Sequence, residues 1–157
     1  MSSKAANVPL QSSVLADLYA REWPSLVRLA FLLTGSQPDA EELAQDAFVH
    51  LQATSAELTN PAAYVRSSVI NACRSFHRHR GVVHRTAPIR PEPFTDERDE
   101  LFDALAHLPW RQHAVLVLYF HVDLPEAEIA AALGCRPSTV RSIKQRALAT
   151  LRKELSL

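Results

Sequence analysis

The sequence predicts an all-α protein built as two small helical domains joined by a flexible linker. Three observations carry that reading: only three glycines among 157 residues rich in Ala and Leu, apolar residues recurring at three- and four-residue spacing, and one proline-rich interruption near the middle. At this length the chain holds one ordinary domain or two very small ones. The interruption favours two. The expected layout is an N-terminal tail over residues 1–12, a first domain over 13–80, a linker over 81–98 and a second domain over 99–157.

Leu15, Leu18, Tyr19, Leu26, Leu29, Ala30 and Leu33 predict one long first helix, bent at Pro24 and closed by Thr34-Gly35. Asp39 is expected to open a second helix. Its inward stripe is Ala40, Leu43, Ala44, Ala47, Phe48 and Leu51, which leaves Glu42, Gln45, Asp46 and Val49 outward. Asn60-Pro61 reads as a cap followed by proline in the first turn of a third helix. Here Ala62, Val65, Val69, Ala72, Cys73 and Phe76 form the stripe, and Ser67, Asn71, Arg74, Ser75 and Arg78 face out. Pro88, Pro91 and Pro93 then break periodicity, and the second domain resumes with Leu101, Phe102, Leu105 and Leu108. Ala114, Val115, Leu118 and Tyr119 follow before a pause at residues 122–124. Residues 125–155 give a short helix, a turn centred on Gly134 and a longer helix from Pro137, which is a helix-turn-helix pattern.

Net charge is zero, so bulk electrostatics do not make this a nucleic-acid coat protein. The distribution is uneven. Residues 36–60 carry Asp39, Glu41, Glu42, Asp46 and Glu57 with no Lys or Arg, whereas residues 61–90 hold six arginines and no acid. A second acidic block spans residues 92–103, and residues 136–153 are purely basic. Two basic surfaces can each meet phosphates. On the last helix Val140, Ile143, Ala147, Leu151 and Leu155 can seal the core while Ser138, Arg141, Ser142, Gln145 and Arg146 remain free for DNA. Arg suits guanine or phosphate, and Gln suits adenine.

No stretch is long and apolar enough to span a membrane, and the first residues lack the apolar core of a signal peptide, so a cytoplasmic protein is expected. Cys73 and Cys135 form no CxxC pair, which predicts reduced thiols. Cys73, His77, His79 and His84 raise a zinc reading, but Cys73 lies on the core stripe and no metal or other cofactor is expected. No nucleophile triad, phosphate loop or carboxylate pair points to an enzyme or a small-molecule substrate.

Three motifs in order resemble one family. PDAEELAQDAFVHL, NPAAYVRSSVINACRSFHRHR and LPEAEIAAALGCRPSTVRSIKQRALATLRKEL, the last preceded by LPWRQHAVLVLYF, resemble the extracytoplasmic-function group of bacterial sigma factors from Leu15 to Leu155. The resemblance implies that Glu42, Gln45, Asp46 and Phe48 belong to the motif gripping the clamp coiled coil of the polymerase largest subunit, with Phe48 packing behind the contacts. It implies that Asn71 holds an extruded −10 base beside the loop over residues 54–60, aided by Arg74, Ser75 and Arg78. It also implies that Ser138, Thr139, Arg141, Ser142, Gln145 and Arg146 read the −35 element, that the second domain meets the flap of the second-largest subunit, and that the acidic linker lies near the active-site cleft or RNA exit path. Promoter DNA, core RNA polymerase and an anti-sigma factor are the implied partners. Ser75, Ile143 and Pro125 depart from the family pattern, so the promoter sequence is the chain's own. Two other readings stay open. One is a sigma-like decoy that occupies an anti-sigma factor, and the other a repressor using the helix-turn-helix alone.

Overall fold

The computed structural model describes residues 12–54, 58–83 and 98–156, which form seven helices and no strand. The first, α1 (Ser12–Thr34), contains Pro24 within one continuous helix. Proline forfeits one backbone hydrogen bond, but the turns that follow it bury Leu26, Val27, Leu29, Ala30 and Leu33, and that burial holds the helix together. It ends where Gly35 takes φ +76° and its N–H donates to Phe31 O at 2.7 Å.

The second helix, α2 (Gln37–Gln52), begins two residues before the expected Asp39. Ser36 is the actual cap. Its Oγ accepts from the Asp39 N–H at 3.4 Å, and Pro38 sits in the first turn, where a missing N–H is harmless. Buried Ala40, Ala44, Ala47, Phe48 and Leu51 form the inward stripe, with Leu43 half-buried. Asn60 caps α3 (Pro61–Val83) by accepting from the Ala63 N–H at 3.1 Å.

In the second lobe, α4 (Arg98–His107) precedes α5 (Trp110–Leu116), which runs into a π-helical turn at Val117–His121. The short α6 (Glu126–Leu133) closes at Gly134, φ +69°, where the Cys135 N–H donates to Ala130 O at 3.0 Å. Pro125 supplies no side-chain cap to it. The last helix, α7 (Pro137–Glu154), buries Val140, Ile143, Ala147 and Leu151, while Leu155 stays half-buried just past its end. Ala104 and Leu108 on α4 and Leu116 on α5 join Ala147 and Leu151 in a small cluster of their own. Helix α3 extends to Val83 and α4 starts at Arg98, so both reach into the ends of the stretch read as linker.

Between the lobes, α6 packs on α3 and the π-helical turn packs on α1, so that one hydrophobic core runs from Leu33, Val69 and Cys73 to Leu118, Ile129 and Leu133. Polar ties reinforce the seam. His113, 6% exposed, places Nε2 2.5 Å from Leu32 O and Nδ1 2.8 Å from Leu105 O, bridging α1 and α4. The His77 ring stacks on Trp110 with centroids 4.1 Å apart, and Arg66 meets Glu128 at 3.9 Å. Ile70 fell outside the predicted α3 stripe. It is 2% exposed and lines a cleft shared with Leu124 of the second lobe, which gives α3 a second buried direction.

Candidate nucleic-acid interface

Helical spacing of 3.6 residues per turn sets the three candidate faces. On α2, Glu42, Gln45 and Asp46 are exposed side by side, and Val49, 59% exposed, adds an apolar edge. Phe48 does not share that surface. It is 5% exposed and packs against Tyr19 and Trp23 at centroid distances of 5.0 and 6.1 Å, behind the exposed residues of the helix. An aromatic ring on the inward stripe belongs to the core, where it stiffens the join of α2 to α1.

On α3, Asn71, Arg74, Ser75 and Arg78 occupy one face; Arg74 is half-buried and the others are exposed. Asn71 lines a cleft of about 360 Å³ whose walls are Asn60 and Arg66 on one side and Leu124, Glu128 and Ala132 on the other. Arg74 reaches the helix-turn-helix itself, since a Cβ placed on Gly134 would lie 3.2 Å from its Nη1. Arg74, Arg78 and Arg111 line a second cleft of about 310 Å³ beside Trp110. This face of α3 therefore turns toward the other lobe. Part of the neighbouring loop, residues 55–57, lies outside the described residues.

The residues of the zinc reading go separate ways. Cys73 is fully buried, and burial pushes its thiol up to about 12, away from the thiolate a metal needs. His77 Nε2 instead meets Leu33 O. His79 is exposed, and His84 lies outside the described residues.

On α7, Ser138, Arg141, Ser142, Gln145 and Arg146 are exposed, with Thr139 half-buried. Ser142 Oγ donates back to Ser138 O at 3.1 Å, which ties one hydroxyl to its own helix. Ile143, where the family often carries a basic residue, is 8% exposed and belongs to the core. Two residues that sequence reasoning passed over stand beside this face. Glu126, in the first turn of α6, accepts from Arg141 Nε at 3.3 Å, Arg141 Nη2 at 3.1 Å and Lys144 Nζ at 3.1 Å. Lys144 also lies 4.0 Å over the Tyr119 ring. The only signal in the chain was a carboxylate placed before a basic helix, and nothing in it told that the turn folds Glu126 onto Arg141 and Lys144.

The hydrogen bond from Lys144 is the largest influence and, with a lesser one from Arg141, holds the Glu126 carboxyl below the ordinary carboxylate range although desolvation pushes the other way. The same bond raises Lys144. The signs fix the window. A depressed acid contributes above its unfolded value and loses that contribution as pH falls through the folded one, whereas a raised Lys loses its own as pH climbs. The cluster is thus fully charged at neutral pH.

Comparison with known proteins agrees with this layout. Residues 18–82 match Sigma-70 region 2, and residues 98–151 match Sigma-70, region 4. The RNA polymerase sigma-E factor of Streptomyces avermitilis is 33% identical over 141 residues, covering 83% of this chain and 79% of that one. The ECF RNA polymerase sigma factor SigM of Mycobacterium tuberculosis is 30% identical over 161 residues, covering 96% and 82%. Two solved structures share the fold. Sigma factor RpoE in complex with the anti-sigma factor NepR, from Bartonella quintana, superposes with a TM-score of 0.72 at 21% identity over 92% of this chain and 98% of that one. CnrH in complex with the cytosolic domain of CnrY gives 0.69 at 23% over 93% and 90%. With both regions matched in order and relatives at this identity over most of its length, the chain belongs to the ECF sigma factors of the bacterial sigma-70 family, which bind core RNA polymerase and direct promoter recognition.

Proposed function

We propose that this sigma factor divides its work among three surfaces. The acidic face of α2, Glu42, Gln45 and Asp46, grips the clamp coiled coil of the polymerase largest subunit. Asn71 on α3 holds an extruded −10 base while Arg74 and Arg78 hold the backbone, because a base leaves the stack only if its phosphates stay fixed. Ser138, Thr139, Arg141, Ser142, Gln145 and Arg146 on α7 meet the −35 duplex, and the second lobe sits against the flap of the second-largest subunit.

The observation that carries this reading is the pairing, in one chain, of an exposed acidic face on α2 with an exposed Arg141, Gln145 and Arg146 face on the other lobe. One suits a basic protein partner and the other suits phosphates and base edges. Unstacking costs a few kcal/mol, and a single small reading module buries limited surface, so polymerase supplies the remaining binding free energy. The chain acts by binding, with no catalytic group of its own, in the cytoplasm where the polymerase works. Among the described residues no helix is long and apolar enough to cross a membrane.

An anti-sigma factor restrains it under this reading, because the two structural neighbours were captured as complexes, one with the anti-sigma factor NepR and one with CnrY. The test is transcription in vitro with core polymerase. Promoter-dependent initiation that is lost on Asn71→Ala or Arg141→Ala supports the assignment. No initiation across a genomic DNA library, alongside tight anti-sigma binding, favours a decoy.

A further inference from the structure

The reading helix carries its own counter-charge. Arg141 is exposed, with 61% of its side chain open, whereas Glu126 and Lys144 retain only 24% and 17%. A guanidinium has five N–H donors in a planar fork. Two of them, on Nε and Nη2, point at Glu126 Oε2, which leaves both Nη1 donors and one on Nη2 outside that contact. That remaining edge has the spacing of the O6 and N7 acceptors of guanine. The other carboxylate oxygen, Oε1, takes Lys144, whose ammonium is pinned over Tyr119 and kept from ranging along the phosphates.

We propose that Glu126 is a positioning and specificity residue for −35 reading, holding the Arg141 fork in its base-reading orientation and withdrawing Lys144 from indiscriminate phosphate contact. The inference rests on Arg141 being a DNA-reading residue, as proposed above. Two physical consequences follow. A fixed fork loses less freedom when it meets its base, which favours the matched pair over a mismatch. A carboxylate near the backbone also repels phosphate, which lowers affinity for every sequence alike. Specificity is the difference between affinities, and Glu126 acts on both terms.

The experiment uses the holoenzyme of core polymerase with the full chain. Its probes are duplexes selected from a randomised pool by the wild-type holoenzyme, each base pair then substituted in turn, and one unrelated duplex. Glu126→Gln keeps the shape but removes the charge. It is expected to raise affinity for the unrelated duplex by about twofold to tenfold, to steepen the salt dependence by up to about one counterion, and to reduce discrimination at the base pair read by Arg141 by at least about threefold. Lys144→Gln leaves the Arg141 contact in place, so discrimination there is expected to persist. A merely structural role for Glu126 would instead weaken matched and unrelated duplexes together and lower the melting temperature. That pattern overturns the proposal. So does unchanged discrimination in Glu126→Gln when Arg141→Ala abolishes it, an outcome that leaves Arg141 as a reader. Should Arg141→Ala leave discrimination intact at every position, the reading role of Arg141 falls, and the role of Glu126 with it.

Discussion

Helices α3 and α7 are both arginine-bearing and both present polar residues away from the core of their own lobe, yet their surroundings differ. The α3 face looks into clefts whose far walls belong to the second lobe, with Arg74 beside Gly134 and Asn71 across from Glu128. In this arrangement the α7 face is open to solvent, with Arg141 bonded to Glu126, whereas the α3 face looks across a cleft at the second lobe. The restraint on α3 is a second domain, and the restraint on α7 is one carboxylate.

Thiol chemistry gives the widest contrast between the regions. Cys73 on α3 is fully buried with its thiol pushed up to about 12, while Cys135 beside the helix-turn-helix is half-buried. A rise of that size cuts the thiolate fraction by roughly a thousandfold. Alkylation at pH 8, followed by mass spectrometry, is expected to mark Cys135 while Cys73 reacts only when the chain unfolds. Equal rates would mean that the core beneath α3 opens readily. The next effect is on stability. Ile70→Ala removes a side chain that is 2% exposed where α3 turns toward α6, and is expected to cost about 2–5 kcal/mol in urea unfolding. A loss under about 1 kcal/mol would show that the seam is not packed as a core.

Ile70 also marks where the sequence stops being informative. The stripes of α2 and α7 were legible because each helix buries one side against its own lobe, so Ala40, Ala44, Leu51, Val140, Ile143 and Ala147 fall at the expected spacing. Helix α3 buries two sides. A periodicity argument assigns one stripe and hands Ile70 to solvent, since nothing local records that a distant helix covers it. At the candidate site, exposure of Arg141, Ser142, Gln145 and Arg146 was readable from spacing. The Glu126 contact was not, because it depends on the angle between α6 and α7.

The open face can be tested at Arg141. Arg141→Ala is expected to cost about 1–3 kcal/mol in duplex binding at fixed salt, roughly fivefold to 150-fold, with little change in unfolding midpoint because the side chain is exposed. Quantitative footprinting of the holoenzyme measures it. A comparable loss from Arg74→Ala on duplex that is not melted would contradict the difference between the faces, since Arg74 lies at the seam.

The smallest effect belongs to the seam ion pair, and it tests the closed arrangement most directly. Arg66 and Glu128 stand 3.9 Å apart with 36% and 58% of their side chains open, so the pair contributes about 0–1 kcal/mol and does not hold the lobes together alone. Glu128→Arg replaces that weak attraction with repulsion across the cleft. The open population is then expected to rise up to about fivefold, read by single-molecule energy transfer between dyes at Gln52 and Lys153, and more so at low salt because exposed charges are screened. Adding Arg66→Glu restores opposite signs with the positions exchanged. If the double variant returns to the wild-type distribution, the two residues face one another across the seam in solution. If both variants match the wild type at low salt, Arg66 and Glu128 are not neighbours there.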